Sequence, residues 1–131
     1  MKVLDFLNSA KIYYLSTVEG DQPHVRALGF VMDYNGKISF CTDNRKKMYA
    51  QMQKNPKVEV CAVDKNLNTL RITGTVEFIT TEDSQKKALE VMPDLANLYS
   101  VGDGKFEIFC INNPVLKCYE MSGKKVDVEL L

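Results

Sequence analysis

The chain has 131 residues, 45% of them hydrophobic and 26% charged, the balance of a globular domain able to bury a core without covalent staples. Lys plus Arg and Asp plus Glu both total 17, a formal net charge of zero. That argues against broad nucleic-acid or anionic-membrane binding, which draws on a basic excess, and leaves room only for a local basic pocket.

A single domain over residues 1–131 is expected, because no linker, repeat or low-complexity segment interrupts the chain. The N-terminus, MKVLDFLNSAK, carries Asp5 and lacks the apolar stretch of a secretory signal. No run approaches the roughly 18 apolar residues of a membrane span, so a cytoplasmic protein is the expectation. Val3, Leu4, Phe6 and Leu7 predict a short amphipathic helix over Val3–Ala10. Ile12–Val18 reads as a strand, Glu19–Pro23 as a turn, and His24–Tyr34 as a second, alternating strand. Asn35-Gly36 is a hairpin signal, because both turn positions need positive φ, and Lys37–Thr42 is the returning strand.

A helix is predicted from Asn44 to Lys54, with Met48, Gln51 and Met52 on one side. Asp43 or Asn44 would cap it and Asn55-Pro56 would end it. Lys57–Val63 is a strand, Asp64–Asn68 a turn, and Thr69–Thr80 a long strand with a bulge or bend at Gly74. Thr81–Met92 reads as a helix capped by Thr80 or Thr81, and Pro93–Gly104 as a loop with a short helical turn. Lys105–Met121 supplies two short strands broken at Asn112-Asn113-Pro114. Six strands joined by hairpins or short helices, without βαβ alternation, predict a mostly β fold: an antiparallel barrel with peripheral helices.

Cys41, Cys61, Cys110 and Cys118 lie far apart on strand-like segments, and His24 is the one histidine. Buried reduced thiols are expected, with neither disulfides nor a zinc centre. No G-x-S-x-G, P-loop or G-x-G-x-x-G occurs. His24 reads as a strand-entry residue without an acid partner nearby.

The basic stretch after Thr42 is open to two readings. A strand end followed by a helix start gathers backbone N–H groups, a hydroxyl and partial positive charge, an arrangement suited to phosphate. Arg45, Lys46 and Lys47 near that start oppose the macrodipole, at a cost of a few tenths to about 1 kcal/mol each when exposed. A solvated basic turn is the equal alternative. Arg26 and Arg71, on separate predicted strands, either reach solvent or converge with these lysines on one planar anion.

The order of these pieces carries a resemblance. QPHVRALGFV, NGKISFCT, NRKKMYAQMQKNPKVEV and LRITGTVEFI, spanning about residues 12–80, resemble the pyridoxamine 5'-phosphate oxidase-like family of FMN-binding split barrels. The resemblance implies a six-stranded antiparallel split barrel that binds FMN between the subunits of a homodimer. It implies flavin contacts from Arg26, Ala27, Leu28 and Gly29, and phosphate or ribityl contacts from Cys41 and Thr42. Lys46 and Lys47 match the family's cationic pair; the spacing is one residue longer, which leaves open which lysine meets the phosphate. Arg71 corresponds to polar residues that approach the ring from the dimer partner, with Thr69 where vitamin-processing members carry glutamine. Val31 stands in place of a substrate-facing lysine, and no C-terminal Arg/His segment follows, so vitamin B6 oxidation is not expected. The implied function is an FMN-dependent oxidoreductase or flavin reductase acting on a small molecule, with no catalytic acid or base assigned. A flavin electron carrier without a committed substrate, and a split barrel holding heme or a deazaflavin, are the alternatives; His24 is the one imidazole available to heme.

Overall fold

The structure is a computed structural model describing residues 1–131. Its strands are β1 (Tyr13–Glu19), β2 (Gln22–Leu28), β3 (Met32–Tyr34), β4 (Lys37–Asp43), β5 (Lys57–Val63), β6 (Thr69–Phe78) and β7 (Phe106–Tyr119). The helices are α1 (Val3–Ala10), α2 (Lys47–Lys54) and α3 (Glu82–Val91), with a 3₁₀ turn over Pro93–Asn97. All strands join one antiparallel sheet in the order β2-β1-β5-β6-β7-β4-β3. Tyr13 on β1 meets Phe40 on β4 edge-on, ring centroids 6.0 Å apart, although β5, β6 and β7 lie between those strands in the hydrogen-bonded order. The sheet has therefore rolled up into a barrel-like fold. Helix α2 packs on both β1 and β4, placing Met48 and Met52 in the core.

Alternation decides which side chains fill the interior. Tyr13, Leu15 and Thr17 on β1, Val58, Val60 and Ala62 on β5, and Leu70 and Ile72 on β6 point inward and are buried. A smaller second core lies outside the sheet, where α3 covers Phe30, Met32, Phe106 and Ile108. Apolar residues of the C-terminal tail, Val126, Val128 and Leu130, pack against the main core.

The mostly β, antiparallel barrel expected from the sequence is the observed fold, with seven strands rather than six. The predicted strand over 24–34 is two strands, because β1 offers no partner beyond the Tyr13–Leu28 pair. Phe30, Val31 and Met32 are all buried there, crossing between the two cores instead of alternating. Conversely, the pair of strands predicted over 105–121 is the single strand β7. Asn113 and Pro114 are absorbed as a bulge opposite Gly74, with Asn113 at φ 50°. Asn35 and Gly36 take φ of 51° and 81°, as the hairpin requires. Thr81 caps α3 through a reciprocal pair of hydrogen bonds with Ser84. The cysteines are all free, but only Cys110 and Cys118 are fully buried; Cys41 and Cys61 are half-buried. No helix is long and apolar enough to cross a membrane.

Candidate functional site

Two adjoining cavities open where β2 leaves the sheet and β4 runs into α2. One, of about 310 Å³, lies between Arg26, Ala27 and Leu28 on β2 and Lys46, Lys47 and Met48 at the helix start. The other, of about 260 Å³, shares Ala27, Leu28 and Lys46 and continues past Gly29 and Phe30 to Cys41, Thr42 and an apolar wall from the second core. Each sits near the lower bound of small-molecule sites, roughly 300–1,000 Å³. Eight of the nine residues expected at a cofactor site, namely Arg26, Ala27, Leu28, Gly29, Cys41, Thr42, Lys46 and Lys47, line one or both.

The turn after β4 is set by Asp43. Its buried carboxylate accepts from the Arg45 backbone N–H at 2.9 Å and from Arg45 Nε and Nη2 at 2.9 and 2.6 Å. This grip holds the Asp43 carboxyl well below the usual carboxylate range. It also overturns the predicted helix start. Asp43 and Asn44 do not cap α2; its first residue is Lys47, its N-cap is Lys46 with no side-chain cap, and no acid sits in its first turn. Arg45, neutralised by Asp43, leaves Lys46 and Lys47 exposed at the helix entrance without an ion pair.

Thr42 lies beside them. It is 3% exposed, and its Oγ1 is buried with no hydrogen-bond partner in the chain. An orphaned hydroxyl of this kind costs on the order of 1–3 kcal/mol unless something satisfies it. The third cation, Arg26, is half-buried with Leu15 on the inner side of β2. Its Nη1 donates to Thr17 Oγ1 at 2.8 Å and to the Leu15 carbonyl at 3.3 Å, and its Nη2 donates to Gln51 Oε1 at 2.7 Å. Every acceptor is neutral, so its charge is held in place without being cancelled.

Arg71 does not join this group within one chain. It lies opposite Cys61, which lies opposite Tyr14, on the outer face of the sheet, and pairs there with Glu59 at 3.1 Å. His24 lines neither cavity; its Nε2 stands 3.4 Å from Glu19 without forming a hydrogen bond.

The apolar wall was not foreseen. Met92 caps the end of α3, Leu95 lies in the 3₁₀ turn, and Leu98 and Tyr99 follow it; from sequence these residues read only as a helix end and a loop with a short helical turn, with no place in a site. Tyr99 stacks on Phe106 with centroids 4.7 Å apart and planes within 9°. Burial and the nearby Asp43 carboxylate push its phenol up to about 12. Burial likewise pushes the Cys41 thiol up to about 12, against the opposing pull of Lys46. Both groups therefore carry their protons at neutral pH.

The sequence matches the family model described as pyridoxamine 5'-phosphate oxidase over residues 1–112. The chain belongs to this family. A search of curated proteins finds no match. Among solved structures, a NimC/NimA family protein from Clostridium acetobutylicum is 37% identical, with a TM-score of 0.90 over 94% of this chain and 86% of the other. A pyridoxamine 5'-phosphate oxidase-related, FMN binding protein from Nostoc punctiforme PCC 73102 is 19% identical, with a TM-score of 0.65 over 92% and 81%. A heme binding protein from Mycobacterium smegmatis is 11% identical, with a TM-score of 0.74 over 92% of this chain and 53% of the other. The last two likenesses are of fold alone.

Proposed function

We propose that the chain binds FMN, in a site shared between two copies, and serves as an oxidoreductase toward a small molecule. The observation that carries this reading is the contrast among the basic residues. Arg45 and Arg71 are matched by carboxylates, whereas Arg26, Lys46 and Lys47 border one cavity with none. Thr42, whose buried hydroxyl is unsatisfied, lines the adjoining cavity. These groups fit a phosphate monoester: three cations to balance its charge and one hydroxyl to donate to an oxygen.

Lys46 and Lys47 would hold the phosphate, with Thr42 and Arg26 completing its contacts. Ala27, Leu28 and Gly29 would offer backbone and apolar surface to the flavin ring, beside Cys41. Bound there, the flavin supplies one- and two-electron transfer. The chain's own part is to fix the cofactor, exclude water along the Met92–Tyr99 wall, and keep Cys41 and Tyr99 protonated so that neither acts as a base. Arg71 and the exposed outer sheet face would belong to the site of the second copy. No histidine lines either cavity.

Purified protein should bind FMN with quenching of flavin fluorescence. The double substitution Lys46→Ala with Lys47→Ala should weaken FMN by on the order of tenfold or more while riboflavin affinity changes little. Equal weakening of both ligands would show that the lysines do not read the phosphate. Anaerobic reduction by a nicotinamide cofactor, followed by turnover with a quinone or nitroaromatic, separates an enzyme from an electron carrier. Reduction without turnover of any acceptor would favour the carrier.

A further inference from the structure

The neutral pair Thr17 and Gln51 forms a closed polar triangle with Arg26, which borders the cation-lined cavity. Thr17 is fully buried and Gln51 is 5% exposed. Thr17 Oγ1 donates to Gln51 Oε1 at 2.6 Å, and Arg26 donates to both, at 2.8 and 2.7 Å. The two donors converging on Gln51 fix its amide orientation, because the opposite flip would set its NH₂ against Arg26 Nη2.

This triangle joins Thr17 on β1 and Gln51 on α2 to Arg26 on β2, and of these elements β2 and α2 line the cavity. Gln51 lies four residues after Lys47, the first residue of the same helix, so the triangle also ties the helix that carries the lysines to the strand that carries Arg26. A carboxylate at position 51 would bind a guanidinium more strongly, but it would cancel the charge of an arginine that borders the cavity. An amide orients the arginine and leaves its charge intact.

We propose that Gln51, with Thr17, is a positioning residue: it holds Arg26 against the helix start while leaving its positive charge free for the ligand's phosphate. The assignment rests on the FMN reading and deepens it. The ratio of riboflavin to FMN dissociation constants measures what the phosphate contributes, and a merely structural role for Gln51 would leave that ratio unmoved.

The test uses full-length protein, titrated with FMN and with riboflavin at two salt concentrations. The wild type should prefer FMN, and the preference should shrink with added salt. Gln51→Glu, which sets a carboxylate on Arg26, should stay folded and lose on the order of tenfold of that preference, a change of about 1.4 kcal/mol. Gln51→Met, similar in volume without the acceptor, should lose a smaller part by freeing Arg26 to reorient. A folded Gln51→Glu or Gln51→Met protein with the wild-type ratio overturns the role of Gln51 and leaves the FMN reading standing. A wild type with no preference for FMN over riboflavin overturns the phosphate socket itself, and the positioning role with it.

Discussion

Asp43 shows how one side chain shapes the site without touching a ligand cavity. Its side chain is 4% exposed, whereas that of Arg45 is 66% exposed, so the pair is buried on the acidic side only. By taking Arg45 out of play, it separates one neutralised cation from the two unopposed lysines that follow. The fold holds its carboxyl below the ordinary range, so the stabilisation is fully present above the unfolded value, about 3.9, and is lost as pH falls toward the folded value. Asp43→Asn should therefore lower stability at pH 7 by about 1–2 kcal/mol, discounted for the exposed arginine. The deficit should shrink as pH falls below about 4. Urea midpoints of both proteins at pH 7 and pH 3 check this; a deficit equal at both would show that the carboxylate's charge plays no part.

At the scale of elements, β6 and β7 depend on a close backbone approach. A Cβ at Gly74 would lie 2.3 Å from Ile111 Cγ2 and 2.7 Å from the Asn112 carbonyl oxygen, which belongs to backbone and cannot swing aside. Gly74→Ala should destabilise the protein by about 1–3 kcal/mol, the usual range for overpacking. A urea midpoint within error of wild type would mean that the bulge relaxes freely. The need for a small residue there was legible in the sequence, as were the Asn35-Gly36 turn and the Thr81 cap, because each is a local requirement. The continuity of β7 was not, since the bulge that absorbs Pro114 depends on a register known only after pairing. The same limit separates the two strand arginines. Arg71 sits between Leu70 and Ile72, so alternation alone puts it on the outer face. Arg26 has apolar neighbours on both parities, Val25 and Ala27 against Leu28, and only its pairing with Leu15 places it inside. The Met92–Tyr99 wall escaped notice because its apolar residues follow neither a strand nor a long helical period, and the second core gives them their place.

For the molecule as a whole, the outer face of the sheet is the feature the fold leaves unexplained. Tyr14, Val25, Val63, Val115 and Tyr119 are between 41% and 68% exposed there, and strand register sets these residues of β1, β2, β5 and β7 on one side of the sheet. Isolated exposed apolar residues are common, but a face of them on one sheet marks an interaction surface. The proposed dimer would occupy this face, carrying Arg71 and its partner Glu59 with it. A stable interface takes about 800 Å² from each partner, roughly a tenth of this chain's 7536 Å² of accessible surface. Tyr14 lies inside that face, paired on one side with Ala27 of the cavity wall and on the other with Cys61. Tyr14→Glu would set two like charges near each other across a two-fold contact and desolvate both, and should turn a dimer into a monomer. Sedimentation at micromolar concentration should give twice the chain mass for wild type and the single mass for the variant. Because the site is proposed to need both copies, FMN affinity should fall together with the dimer. A wild type that sediments as a monomer yet binds FMN tightly would place the whole cofactor site within one chain and leave the outer face to some other contact.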